Sequence, residues 1–209
     1  MEEGNLRLKG TEGGPLYDIG IYCLNAARSV FRAQPVEVSA WHVSRADDPR
    51  FAEVAEMTGA RLRFPGDRLA TFACGFGGAP VSQYDVVCTE GVLRVAPAFN
   101  FGTDLKQVLT IGDETTVRTF KRGDQFAPEL LEFSDCVLND REPEASGEEG
   151  LADVRVLEAL DESARSGGRA VTLPPFARTQ HPRLEQAIRR PLGTKPRLVH
   201  AEKPDRAGS

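Results

Sequence analysis

The sequence predicts an α+β fold: an open, predominantly antiparallel sheet with helices packed on one face. Three observations lead there. A stretch with 3.6-residue apolar periodicity comes first, a series of short strand-like runs follows, and two further helical stretches and a short strand close the folded part. With 209 residues and 40% hydrophobic composition, a chain of this size buries roughly 70% of its unfolded surface, so the core needs no disulfide or metal staple.

The opening helix is signalled by Gly13-Gly14-Pro15, glycines ending an extended lead-in and a proline suited to a first helical turn. Leu16, Ile19, Cys23, Ala26, Ala27 and Val30 then recur at helical period, so residues 16–31 read as a largely buried helix. From Pro35 the runs 36–43, 60–64, 68–76, 82–88, 92–95, 105–111 and 115–121 are short and rich in Val, Thr, Phe and Leu. Pro65-Gly66-Asp67, Glu90-Gly91 and Gly112-Asp113 supply turns between them. This texture predicts a meander of six or seven strands. Phe126, Leu130, Phe133 and Val137 mark a helix over 125–138. Ser146-Gly147-Glu148-Glu149 opens another with a capping-box pattern that runs to about residue 166, followed by a strand at 170–173. The capping pattern already accounts for Glu148 and Glu149, so they are not read as a hydrolase pair.

Residues 1–173 thus form the expected folded domain, and 174–209 a proline-rich basic tail. The tail carries eight Lys+Arg against three Asp+Glu, leaving a net −10 on the rest of a chain whose formal charge is −5. That balance argues against nucleic acid as a partner. Cys23, Cys74, Cys88 and Cys136 form no C-x-x-C pair, and His42, His181 and His200 are scattered, so no metal is expected. No leader pattern and no apolar run of about 20 residues occurs, which predicts a cytoplasmic protein without a membrane partner. No strand leading into G-x-G-x-x-G opens the chain, so no Rossmann domain is encoded in it.

On a uniform helical wheel, Asp18, Tyr22, Asn25 and Ser29 fall on one stripe of the first helix, whose other faces are mainly apolar. Two readings of the pair at i and i+4 stand on spacing alone. The phenol can offer a proton while the carboxylate orients it or holds a substrate hydroxyl. Alternatively, Asp18 serves the helix dipole and Tyr22 snorkels to the surface.

The stretch GGPLYDIGIYCLNAARSVF at 13–31 resembles the start of the second domain in the glucose-fructose oxidoreductase/inositol dehydrogenase (Gfo/Idh/MocA) family, where a glycine-rich turn leads into D-x-G-x-[HY]. The resemblance continues through RLRFPGDRLATFACGF at 61–76 and DQFAPELLEFSDCVLNDREPEASGEEGLADVRVLEAL at 124–160. Through its tyrosine the motif is similar to the glucose-fructose oxidoreductase-like branch. The resemblance implies a C-terminal, substrate-binding and oligomer-forming domain of an NAD- or NADP-dependent oxidoreductase acting on a sugar or polyol, separated from its nucleotide-binding domain. It implies Tyr22 as proton donor or acceptor, Asp18 as the residue that positions sugar and tyrosine, and Gly13 and Gly14 as backbone close to the nicotinamide. Family members with three consecutive glycines have one where this chain has Glu12. The family's catalytic lysine lies in a Glu-Lys-Pro segment of the nucleotide-binding domain. Glu202-Lys203-Pro204 repeats those letters in the basic tail, and Lys203 is not read as catalytic.

Asn25 is placed with the substrate-binding residues. So are Arg122 and Asp124, which with Lys121 and Gln125 occupy a strand-to-helix junction that the resemblance puts at the rim of the sugar pocket. Trp41, beside His42, reads as sheet-face packing or a subunit contact. The competing function is a non-catalytic binding or oligomerisation module derived from such an enzyme.

Overall fold

The computed structural model describes residues 5–10, 13–177 and 187–193. The chain divides into two compact units, residues 1–81 with 136–187, and 82–135 with 188–209.

The first unit is built on four strands, β1 (Glu37–Val43), β2 (Met57–Phe64), β3 (Arg68–Gly75) and β8 (Val171–Thr172), in the order β3-β2-β1-β8. All its pairings are antiparallel. The β2–β3 hairpin turns through Gly66 at φ +74° and Asp67 at φ +54°, where glycine is the favoured residue and Asp one of the few others tolerated. Alternation along β2 turns Thr58, Ala60, Leu62 and Phe64 inward. Val38 and Ala40 of β1 lie opposite Leu62 and Ala60, so the four share one face. That face packs against Leu24 of α1 (Ile21–Phe31) and Leu157 and Leu160 of α3 (Gly147–Arg165) to make the main core. Phe31 closes its end against Phe64, with ring centroids 4.8 Å apart. β8 is too short to pair with β1 beyond Val38. The Ala40 N–H donates instead to Ser163 Oγ at 3.0 Å, and that hydroxyl donates to Arg169 O at 2.6 Å.

The second unit is a meander, β4 (Tyr84–Val87), β5 (Gly91–Val95), β6 (Leu105–Ile111) and β7 (Glu114–Phe120), paired in chain order. Gly112, at φ +55°, makes the two-residue β6–β7 turn. Asp124 follows β7 and caps α2 (Phe126–Leu138), its Oδ1 accepting from the N–H groups of Phe126 and Ala127 at 3.0 Å each. Part of the basic tail joins this unit: Arg190 forms an isolated antiparallel bridge with Asp124, and the Arg189 guanidinium lies 5.9 Å from the Phe120 ring centre.

The α+β class and antiparallel pairing are as the sequence predicts. The strands divide into two four-stranded sheets, not one continuous meander, because residues 76–83 leave β3 without pairing β4 onto it. The first helix also differs. Leu16–Gly20 is a π-helical turn, and only Ile21–Phe31 is α-helical. A π turn takes up more residues than an α turn, which moves the buried positions. Leu24 and Arg28 are buried, Cys23 and Ala26 only partly, and Val30 is exposed.

Candidate functional site

The π turn and α1 present the candidate residues from the first unit. Tyr22 is 54% exposed on the first turn of α1. Asp18 sits in the π turn, so a uniform wheel across Gly20 does not describe its position relative to Tyr22. Its Oδ1 lies 3.2 Å from Arg7 Nε, an ion pair. Arg7 comes from a 3₁₀ turn, Leu6–Leu8, that the sequence reading passed over.

Gly13 and Gly14 hold that turn in place. The Gly14 N–H donates to Arg7 O at 2.7 Å, and the Gly14 carbonyl accepts from the Asp18 N–H at 3.3 Å. Gly14 has φ +90°, and a Cβ on Gly13 would stand 2.4 Å from Lys9 O and 2.9 Å from Arg7 O. Both positions therefore require glycine for the chain's own path. Glu12 and Lys203 lie outside the described residues.

Asn25 is committed to a side-chain network. It donates to Asp153 of α3, and Arg28, one turn further along α1, also reaches Asp153 while gripping both Glu149 carboxylate oxygens at 2.9 Å. Arg28 Nε donates to Gln34 at 2.9 Å. Arg28 and Asp153 are both buried. Burial pushes the Asp153 carboxyl above its ordinary range, against the opposing pull of Arg28 and Asn25. Ser146 caps α3 as the capping pattern predicts, accepting from the Glu149 N–H, but the Glu149 side chain also serves Arg28. A helical-wheel reading has no signal for this network, because its partners are more than a hundred residues apart.

Within the first unit a cleft of about 370 Å³ is lined by Gly13, Gly14, Tyr17, His42, Thr58 and Asp161, among others. His42 Nε2 lies 3.1 Å from Asp161 Oδ1 and its Nδ1 2.8 Å from Thr58 Oγ1. The second Asp161 oxygen receives Arg165 at 2.8 Å. A neutral ring that donates from Nε2 accepts the Thr58 hydroxyl at Nδ1. Trp41, next in sequence, is 52% exposed and lies so close to Gly168 that a Cβ there would come within 2.2 Å of the indole. Burial raises the Cys23 thiol and pushes that of Cys74 up to about 12.

Arg122 and Asp124 belong to the second unit. The Arg122 N–H donates to Asp104 Oδ1 and Lys121 Nζ binds Asp104 Oδ2, each at 2.8 Å, and the lysine holds the Asp104 carboxyl below its ordinary range. Asp124 is occupied as the α2 cap. Among the described residues, no group of three or more His, Cys, Asp or Glu side chains is arranged to hold a metal ion, and no helix is long and apolar enough to cross a membrane.

Comparison with known proteins gives this arrangement a context. Residues 2–94 match the GFO/IDH/MocA C-terminal domain. The chain is 35% identical to the D-xylose 1-dehydrogenase [NADP(+)] of Haloarcula marismortui over 163 residues, covering 77% of this chain and 45% of that protein. It is 29% identical to D-xylose 1-dehydrogenase (NADP(+)) 2 of Haloferax volcanii, covering 74% of this chain and 47% of that one. The chain thus spans about half the length of the curated relatives it matches. The aldose-aldose oxidoreductase of Caulobacter crescentus, solved with glycerol, superposes with a TM-score of 0.76 at 33% identity, over 83% of this chain and 52% of that one. A matching domain signature, sugar-oxidoreductase relatives and a shared fold together place this chain in the Gfo/Idh/MocA family.

Proposed function

We propose that this chain is the substrate-binding half of an NAD- or NADP-dependent oxidoreductase of the sugar or polyol class, with Tyr22 as its proton-transfer group. The observation that carries the reading is an exposed phenol on the first turn of α1, preceded by a carboxylate in the π turn, in a chain whose relatives are named for NADP-linked D-xylose oxidation. Gly13 and Gly14 fit a nicotinamide neighbour in one respect: they put backbone without side chains on the wall of a cleft. The cofactor, when bound, supplies or accepts the hydride. The residues of this chain do the rest. The Tyr22 oxygen meets the substrate oxygen; as phenolate it takes the hydroxyl proton on oxidation, and as phenol it returns one on reduction. Asp18 accepts from a sugar hydroxyl, and Asn25, whose amide donates to Asp153, is assigned a positioning role; Arg122 and Asp124, in the second unit, are assigned to substrate binding by the family resemblance, with the Arg122 backbone N–H and the Asp124 carboxylate engaged within that unit.

The test joins the chain to the half of the Haloarcula marismortui dehydrogenase that lies outside the match and follows NADP⁺ reduction with D-xylose. Tyr22→Phe removes only a hydroxyl and should lower turnover by about 100- to 10,000-fold with folding intact. Near-parental turnover in that variant would return Tyr22 to the role of a surface residue.

Self-association is the second part of the proposal. Val87 and Val92 are cross-strand partners, and Val117 lies on the same face of the second sheet two positions along. They are 77%, 40% and 55% exposed. Apolar side chains on an uncovered sheet face favour a partner, and a second copy is the partner assigned.

A further inference from the structure

We propose that Arg7 is a positioning residue of the Tyr22 site, holding the Asp18 carboxylate in one orientation, and that Gly14 exists to keep it there. The inference rests on the reading of Asp18 and Tyr22 given above. Three contacts close a ring. Arg7 O accepts from the Gly14 N–H at 2.7 Å, Gly14 O accepts from the Asp18 N–H at 3.3 Å, and Arg7 Nε lies 3.2 Å from Asp18 Oδ1. Backbone therefore fixes both ends of the ion pair before the side chains meet, so little freedom is lost in making it.

The two glycines have no substitute in this arrangement. At Gly14 the left-handed φ of +90° disfavours any side chain, and at Gly13 a Cβ would run into the carbonyl oxygens of Arg7 and Lys9. The glycine pair thus has an internal purpose, folding the Leu6–Leu8 turn back onto the π turn. Solvent exposure rules out a large contribution to stability: the Arg7 side chain is 58% exposed and that of Asp18 25%, and pairs of this kind add little to folding. What the contact does supply is direction. A guanidinium charge 3.2 Å from Oδ1 favours one orientation of a short side chain and leaves Oδ2 to accept from a ligand hydroxyl. Asp18 precedes Tyr22 by four residues across the junction of the π turn with α1, so its orientation bears on how a sugar meets the phenol.

The test uses the whole 209-residue chain and two readouts. Three-bond scalar couplings report the Asp18 χ1 rotamer without any ligand, and chemical-shift titration with D-xylose reports affinity. In the parent, Asp18 should occupy one rotamer. Arg7→Ala should average it with the melting midpoint unchanged, Arg7→Lys should restore it in part, and Gly14→Ala should average it as well, with a lowered midpoint from the strained backbone. D-xylose affinity should fall about 3- to 10-fold in Arg7→Ala, the scale expected when one exposed ion pair is lost. The Arg7→Ala/Asp18→Asn double variant should be no weaker than Asp18→Asn alone. A single Asp18 rotamer persisting in Arg7→Ala, or additive losses in the double variant, would overturn the role of Arg7 and leave the site reading intact. If Asp18→Asn binds D-xylose as the parent does while Arg7→Ala still averages the rotamer, the site reading fails instead.

Discussion

Replacing Arg28 with methionine removes the cation from the buried network that ties α1 to α3. In the parent, Arg28 is 4% exposed and satisfies Glu149, Asp153 and Gln34 at once. Methionine fills much of the same volume, so the loss comes chiefly from the stranded partners. Glu149 is 18% exposed and can turn to water, whereas the Asp153 side chain is 5% exposed and keeps Asn25 as its remaining side-chain donor in the network. Breaking a buried pair from one side costs about 3–5 kcal/mol, which for a chain of this size lowers the melting midpoint by about 6–20 °C. The pH dependence follows from Asp153. Its carboxyl is raised in the folded state by burial, so the folded chain binds the proton more tightly than the unfolded chain does. Stability from this group is greatest below the ordinary carboxylate range near about 4 and falls as pH rises through the raised folded value. Without Arg28 the rise is larger, so the deficit of Arg28→Met should be widest at pH 7 and narrow toward pH 4. Urea unfolding followed by fluorescence of Trp41, the sole tryptophan and a residue of β1, reads the first unit directly. A deficit below about 1 kcal/mol at pH 7, the scale of a surface pair, or one that widens in acid, would refute the argument.

Two further expectations concern the rest of the surface and the thiols. If the second sheet self-associates, light scattering at micromolar concentration should give at least a dimer, and Val87→Lys with Val117→Lys should return it to monomer; a parent of 22.8 kDa would count against it. In alkylation at pH 8 followed by peptide mapping, exposed Cys88 should react first. Buried Cys74, its thiol pushed to about 12, is about one part in ten thousand thiolate there and should stay unmodified in the folded chain, so early labelling of Cys74 would contradict the structure.

Local chemistry was legible in the sequence because it acts over a few residues. Periodicity located α2 and α3 to within about a residue at each end and the C-terminal end of α1, turn residues marked the hairpins at Gly66-Asp67 and Gly112-Asp113, and Ser146 announced the α3 cap. The motif at 13–31 carried the family, and Asp18 and Tyr22 were visible as members of a polar stripe with Asn25 and Ser29. Tertiary structure decided whatever depends on residues distant in the chain or on a departure from regular geometry. The division of the strands between two sheets is set by which edges pair, and alternation along a strand is the same in either arrangement. The π turn, invisible to a wheel of constant angle, buried Leu24 and Arg28 and left Val30 exposed. Nothing in the local sequence sets Arg28 apart; the approach of α3, more than a hundred residues later, makes it the centre of a buried network. Arg7 meets Asp18 because Gly14 bends the backbone through a conformation that other residues disfavour.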